Sequence, residues 1–166
     1  YEVKADFQRN DGIDTALCFV PYPLANLSRN ADSWSWDFGN GTSSNNEVPG
    51  IITYNSPGNY FVQLSVSNNS LGCTDTIVKE VILYPIPEIS IIGDTLCEGD
   101  MASVSVANPN TLWKYQWQTS PMVDLSSDST PTITSQPLTT TDFYVSVIDT
   151  NQCTSKDTAT IFVINP

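Results

Sequence analysis

Histidine is absent from the sequence, and only 6 basic residues stand against 18 acidic ones. Without histidine, a serine or cysteine nucleophile lacks its usual general base, and a zinc site lacks a common ligand. The formal net charge of −12 repels the phosphates of nucleic acids and anionic lipid surfaces, so neither is expected as a partner. We expect the acidity to serve the solubility of an extracellular protein.

Helical periodicity and long apolar runs are absent as well. No stretch repeats its apolar residues every 3.6 positions over a dozen residues, and none is long enough to cross a membrane. Secretion signals and lipid-attachment motifs are missing, so we expect either a mature chain or an excised piece, without membrane insertion. Serine and threonine are abundant and there are 11 prolines, which is typical of short strands and turns. The chain is therefore predicted to be all-β.

The clearest predicted strand carries three aromatic residues on one face, namely Trp34, Trp36 and Phe38. They alternate with short polar residues, which indicates an extended segment that is buried on one side. Asn40 and Gly41 follow. Because this pair suits both central positions of a type I′ turn, we expect a hairpin reversal there.

This strand and turn resemble the Trp-Asp-Phe-Gly-Asp-Gly hallmark of the PKD domain family, which consists of small extracellular β-sandwiches. The matching residues are Trp36, Asp37, Phe38, Gly39, Asn40 and Gly41, with Asn40 where the family usually has Asp. A second family motif, Tyr-x-x-Pro-Gly-x-Tyr, begins at Tyr54 and includes Pro57, Gly58 and Tyr60. The resemblance implies that these residues are structural, and that Asp37 caps the turn by accepting hydrogen bonds from backbone N–H groups.

Alternating apolar residues predict further strands near residues 3–8, 15–20, 51–54, 60–66 and 76–83. The segment around Pro21 and Pro23 is expected to lie outside any sheet, because proline cannot donate to a ladder. For the same reason Pro85 and Pro87 predict a boundary between two domains, 1–85 and 86–166.

The second half repeats the first, with nearly equal spacing between its two cysteines and a tryptophan on a strand after the first of them. A repeat of this length predicts two tandem β-sandwich modules. Residues 96–99 and 151–153 resemble the Ig-like modules that accompany PKD domains in large secreted proteins of Bacteroidetes. Gln152 stands where those modules usually have Gly. From the way the chain ends, we expect a further module to follow in a longer array.

Four cysteines allow three disulfide pairings. Equivalent positions in two copies of one fold should pair alike, so the repeat predicts the bridges Cys18–Cys73 and Cys97–Cys153. Each would contribute about 4 kcal/mol and would place the protein in an oxidising compartment outside the cytoplasm. Zinc is not expected, because no two cysteines are closely spaced.

Catalysis is not expected, and the chain is predicted not to be an enzyme. Asp37 is the best single candidate for a catalytic acid, but its turn-capping role is preferred. Some PKD domains bind calcium, and Asp11 and Asp14 are the candidate ligands here. Carboxylates cluster again at Asp94, Glu98 and Asp100. They lack the dense carboxylate spacing of a strong calcium loop, so solvated acidic loops are preferred and no other cofactor is expected.

Two further groups of surface residues are candidates for contact with sugars. Aromatic rings that are not needed in the core can stack on sugar rings; the candidates are Trp34, Trp113, Tyr115 and Tyr22. An Asp-Ser/Thr tripeptide that resembles the O-glycosylation acceptor of Bacteroidetes occurs five times. Its acceptor residues are Thr15, Thr76, Thr95, Ser129 and Thr158.

The resemblance implies a non-catalytic extracellular module within a long surface or secreted protein, exported by type IX secretion and used in gliding or adhesion. It would act as a spacer, a filament component or an adhesive contact. Its expected partners are neighbouring modules, other copies in a filament, and surface polysaccharide or glycans. The alternative is a polysaccharide-binding accessory module of an extracellular hydrolase. A further alternative is an assembly subunit, in which an open sheet edge or a terminal strand is completed by the next copy of the protein.

Overall fold

A computed structural model describes residues 2–9, 17–18 and 22–164. These residues form fourteen β-strands and no helix. They divide into two compact units, Tyr1–Pro85 and Ile86–Pro166, which we call the first and second module.

The first module contains two antiparallel-based sheets with their apolar faces turned to one core. Its strands are β1 (Phe7–Arg9), β2 (Leu17–Cys18), β3 (Tyr22–Asn26), β4 (Ser33–Asp37), β5 (Ser43–Ser44), β6 (Ile51–Ile52), β7 (Gly58–Asn68) and β8 (Cys73–Tyr84). The strand orders are β2-β8-β7-β4-β5 and β1-β3-β6. Phe7 from the small sheet meets Trp36 from the large sheet edge to face, with 5.3 Å between ring centroids. The core therefore lies between the sheets, as in a sandwich.

The second module repeats this plan with fewer strands. They are β9 (Asp94–Cys97), β10 (Ala102–Ser105), β11 (Lys114–Ser120), β12 (Thr132–Ser135), β13 (Thr141–Ile148) and β14 (Thr154–Ile164). The strand orders are β11-β13-β14-β9 and β10-β12. Val104 and Ile133 of the small sheet share a core with Trp117 and Phe143 of the large one. The all-β prediction is thus confirmed by the structure.

Alternation of apolar residues explains which side of each strand is buried. In β7 the side chains of Val62, Leu64 and Val66 are buried, and the residues between them face outward or are half-buried. β8 begins at Cys73, three residues before the predicted start, because its ladder with β7 continues to the pair Asn68↔Cys73. The β7–β8 hairpin is therefore longer than the stretch of alternating apolar residues from which it is predicted.

The expectation that the segment around Pro23 lies outside any sheet is wrong, because Pro23 belongs to β3. Among the described residues β3 pairs with β1 from Phe7↔Asn26 to Arg9↔Leu24, and on its other side Pro23 pairs with Ile51 of the two-residue strand β6. Proline fits the extended backbone of a strand and lacks only the N–H donor, so a short ladder of this kind can include it. Pro21 lies outside the described residues.

Candidate functional surfaces

The loop after β4 is a compact structural turn. The N–H of Gly39 donates to Oδ1 of the exposed Asp37 over 2.9 Å. The φ of Gly39 is +72°, and a Cβ at this position would lie 2.7 Å from the carbonyl oxygen of Phe61. Glycine is therefore required both by the left-handed backbone and by the close approach of β7. In this geometry Asp37 caps a turn, the role that the family resemblance implies.

The chain reverses after β4, but the prediction of a type I′ turn centred on Asn40 and Gly41 is wrong. Such a turn needs positive φ at both positions, and Asn40 is not among the residues with positive φ. Instead, a five-residue loop is closed by a 3.1 Å bond from the Phe38 N–H to the Thr42 carbonyl. Asn40 accepts from the Thr42 N–H and donates to the Thr53 carbonyl. The hydrogen bonds of the Asn40 side chain thus stabilise this loop in place of a type I′ turn.

The second family motif braces the same region. The Tyr54 hydroxyl is buried and donates to the carbonyl of Phe38 over 3.1 Å. The ring of Tyr54 lies against that of Tyr60, with 4.1 Å between centroids, and the Tyr60 hydroxyl donates to the carbonyl of Ser56. Pro57 is exposed just before β7, which begins at Gly58. Both motifs therefore hold backbone in place and present no reactive constellation.

The sequence indicates Asp75 and Asp157 only as members of repeated Asp-Thr motifs. In the structure, each of these carboxylates accepts a hydrogen bond from a backbone N–H that is distant in the chain. Oδ2 of Asp75 in β8 accepts from the N–H of Ala5 over 2.8 Å. In the second module, Oδ2 of Asp157 in β14 accepts from the N–H of Ile91 over 2.7 Å. Each carboxylate therefore ties the first segment of its module to the last strand. The Asp-Thr dipeptide that both modules share indicates that the two aspartates are equivalent. It does not predict that their donors are the distant N–H groups of Ala5 and Ile91.

Four of the five candidate glycosylation acceptors have exposed side chains, namely Thr76, Thr95, Ser129 and Thr158. Thr76 lies on β8, where its hydroxyl is 2.9 Å from that of Ser65. Thr95 and Thr158 lie on β9 and β14. Thr15 lies outside the described residues. Exposure is compatible with modification, which stays a prediction.

The predicted bridge Cys18–Cys73 is wrong, because Cys73 is a free, exposed thiol. β2 pairs with β8 in parallel, with Cys18 opposite Tyr84 at the far end of the strand that begins with Cys73. The two cysteines are thus separated by the length of β8, about 36 Å at roughly 3.3 Å per residue. A disulfide requires Cα atoms within about 7 Å.

The predicted bridge Cys97–Cys153 is wrong for the same reason. Cys97 is a free, exposed thiol and lies opposite Ile164 at the end of β14. Cys153 is buried and directly precedes the start of β14. Cys18 and Cys153 are both disulfide-bonded.

Three of the four aromatic candidates for sugar stacking are less exposed than a flat binding platform requires. Trp34 and Trp113 are half-buried against the cores of their modules. Tyr115 is only 6% exposed, and its hydroxyl donates to the carbonyl of Asn110 and accepts from the N–H of the same residue. The Tyr115 ring is therefore a core element. The side chain of Tyr22 lies outside the described residues.

Trp113 does, however, line a cleft of about 330 Å³ on the second module. Its other walls include Asn110, Ser129, Thr130 and Pro131. The combination of an indole face with hydroxyl and amide groups is the chemistry that a sugar unit requires. A wider groove of about 960 Å³ on the same module has Met101, Met122 and Leu138 in its lining, and no sequence motif indicates it.

The calcium candidates Asp11 and Asp14 lie outside the described residues. Among the residues that the structure does describe, no three histidine, cysteine or acidic side chains cluster closely enough to hold a metal ion. Over the same part of the chain, no helix capable of crossing a membrane occurs.

Two family models match the chain. Residues 18–80 match the PKD domain, and residues 85–166 match the model described as Ig-like domain, CHU_C associated. No curated protein matches. Modules of both kinds are typical of extracellular proteins and are usually non-catalytic.

Several solved structures are similar. The PKD1 domain of Vibrio anguillarum Epp is 26% identical over 50% of this chain and 94% of its own, with a TM-score of 0.41. The fibronectin(III)-like modules of Clostridium thermocellum CbhA are 11% identical over 96% of this chain and 95% of their own, with a TM-score of 0.46.

Three N-terminal domains of the bacteriophage RB49 outer capsid protein Hoc are 11% identical over 98% of this chain and 70% of their own, with a TM-score of 0.50. At this identity the likeness concerns the fold alone. The family matches and the sheets described above agree on one architecture. The chain is an all-β protein of two tandem β-sandwich modules, of which the first matches the PKD domain model and the second matches the Ig-like, CHU_C-associated domain model.

Proposed function

We propose that this chain is a non-catalytic structural segment of a long, multi-domain surface or secreted protein of Bacteroidetes, exported by type IX secretion. It acts as a spacer or filament component that holds an adhesive contact away from the cell. The observation that carries the proposal is the way in which each module ties its first segment to its last strand.

In the second module, β9 pairs in parallel with the end of β14, from Asp94↔Ile161 to Cys97↔Ile164. In the first module, β2 pairs in parallel with the end of β8. When the ends of a module are pulled apart, the two strands of such a pair slide along each other. All their hydrogen bonds are then loaded together, whereas strands pulled from the same end separate one bond at a time. This geometry suits a module that transmits tension.

Single-molecule force spectroscopy tests this role. The protein is held at its two termini, and unfolding of the second module is compared with a geometry in which a handle is inserted in the exposed turn between Gly99 and Asp100. The handle and the C-terminus both lie at the same end of the β9–β14 pair, so pulling there separates the pair bond by bond. We expect a clearly higher unfolding force between the termini. Equal forces in the two geometries would remove the support for a tension-bearing role.

Adhesion to polysaccharide, or the role of an accessory module of an extracellular hydrolase, is the second candidate, favoured by the cleft beside Trp113. Oligosaccharides from bacterial and plant polysaccharides can be titrated while tryptophan fluorescence is recorded. This candidate predicts that oligosaccharide binding is lost in Trp113→Ala and retained in Trp34→Ala, since Trp34 lies in the first module. Equal binding by both variants would exclude the cleft.

A further inference from the structure

The large sheet of the second module has an outer face, opposite to its core face, with a shallow cleft of about 290 Å³. Two rows of side chains cross this face, and each row takes one residue from β11, one from β13 and one from β14. The first row is Gln118, Tyr144 and Thr158, and the second is Gln116, Ser146 and Lys156. All six residues line the cleft, and we call them the outer-face cluster.

The polar groups of the outer-face cluster are open to a ligand. Tyr144 is 40% exposed, Ser146 is half-buried, and the other four side chains are exposed. None of the six side chains forms a hydrogen bond or an ion pair with any part of the chain that the structure describes. On the outer face of the first module, by contrast, the hydroxyls of Ser65 and Thr76 lie 2.9 Å apart, and Gln63 donates to Ser65. Donors and acceptors that one module pairs internally are therefore available in the other.

Positive charge is concentrated on the same face. Lys114 and Lys156 are the only basic residues in the sequence of the second module, and both side chains are exposed there, since Lys114 lies two residues before Gln116 on β11. An acidic residue, Asp142, lies beyond Tyr144 in the opposite direction, where its Oδ1 accepts from the hydroxyl of Thr160 over 2.6 Å. The lysines therefore lie at one end of the outer-face cluster, where they attract an anionic group.

The position of the cluster on the sheet restricts the class of ligand. β13 is hydrogen-bonded to β11 and β14, and β14 is also bonded to β9, so a peptide cannot add a strand at this face. Tyr144 supplies the only exposed ring of the cluster, which is too little apolar surface for the core of a protein interface. A sugar unit, however, has an apolar face that stacks on an aromatic ring and hydroxyls that bond to amides.

We propose that the outer-face cluster binds an oligosaccharide that carries carboxylate groups, as in a chain of uronic acids. The ring of Tyr144 stacks on one sugar unit, the amides of Gln116 and Gln118 exchange hydrogen bonds with hydroxyls, and the ammonium group of Lys156 pairs with a carboxylate. This site shares no residue with the cleft beside Trp113. The inference depends neither on that cleft nor on the mechanical role proposed above.

The test follows the NMR spectrum of the whole protein during titration with oligosaccharides of galacturonate, glucuronate or mannuronate, at low salt and without calcium. Each oligosaccharide is compared with the same compound after its carboxyl groups have been reduced to alcohols. We expect at least one acidic oligosaccharide to shift the side-chain amide signals of Gln116 and Gln118 and the backbone signals around Tyr144 and Lys156. The reduced form should bind about two- to fivefold more weakly, since an exposed ion pair contributes little more than that.

Variants of the two key side chains identify the site. Tyr144→Ala should weaken binding about two- to tenfold through loss of stacking, whereas Tyr144→Phe should retain it. Lys156→Gln should bind the acidic and the reduced oligosaccharide equally well. Phe61→Ala and Lys4→Gln are the matched controls, because they remove an exposed ring and an exposed positive charge from the first module. Neither control should change the affinity.

Three results would overturn the proposal. They are the absence of any shift with all three acidic oligosaccharides at millimolar concentration, equal affinity for an acidic oligosaccharide and its reduced form, and unchanged affinity in Tyr144→Ala. Shifts confined to the residues around Trp113 would also overturn it and would support the cleft described above instead. The substituted side chains are exposed, so the folds of the variants are expected to be intact, and their backbone spectra away from the site check this.

Discussion

Replacement of Gly39 by alanine should destabilise the first module by about 2–5 kcal/mol. The left-handed conformation at φ +72° costs a residue with a Cβ about 1–2 kcal/mol. In addition, the new Cβ would lie 2.7 Å from the carbonyl oxygen and 3.0 Å from the nitrogen of Phe61. Relief of such overpacking costs about 1–3 kcal/mol. Phe61 pairs with Glu80 in the long β7–β8 ladder, so its backbone has little freedom to retreat.

Hydrogen exchange measured by mass spectrometry can follow this loss in the whole protein. Protection in β7 should fall by a factor of about thirty to several thousand, since each 1.4 kcal/mol is about tenfold, while β13 serves as the internal reference. Gly41→Ala is the matched control. Its φ is +83°, but its Cβ would meet nothing within 4 Å, so only the conformational cost of about 1–2 kcal/mol applies. Equal losses in the two variants would refute the close-approach argument.

Two further predictions use the same assay. Gly93→Ala should loosen β14, because its Cβ would lie 2.1 Å from the carbonyl oxygen of Thr160; unchanged protection there would contradict the packing described. Asp75→Ala should destabilise the first module and Asp157→Ala the second, each by about 1–3 kcal/mol, because each leaves a backbone N–H without its acceptor. If unglycosylated protein loses no protection in either aspartate variant, these carboxylates have no structural role.

The fold was predictable where one face of a strand is buried. Alternation identifies β7 because Val62, Leu64 and Val66 all point into the core, and it fails at the start of β8 because residues there lie beyond the core. The inclusion of Pro23 in a strand was not predictable, since it depends on the pairing of β3 with the distant strand β6. The local sequence therefore predicts well which side chains of a strand are buried, but it predicts poorly how far the strand's hydrogen-bonded ladder extends.

The turn-capping role of Asp37 could be inferred from the family motif, but the disulfides could not be inferred from the repeat. Similar spacing correctly indicates that Cys18 corresponds to Cys97, and Cys73 to Cys153. It does not reveal that the edge strand runs parallel to the last strand, which puts the members of each predicted pair at opposite ends. The repeat in the sequence shows which cysteines of the two modules are equivalent. The direction of the strands decides which cysteines lie close enough to form a disulfide.

The Asp75 and Asp157 contacts join these points. Each lies near the start of the last strand and holds the first segment of its module there, while a strand further along the chain, β2 or β9, pairs in parallel with the end of that last strand. The two modules match different family models, yet both secure this junction in the same two ways. A shared requirement of the fold therefore explains the Asp-Thr repeat in part, since each aspartate accepts a hydrogen bond from the first segment of its module.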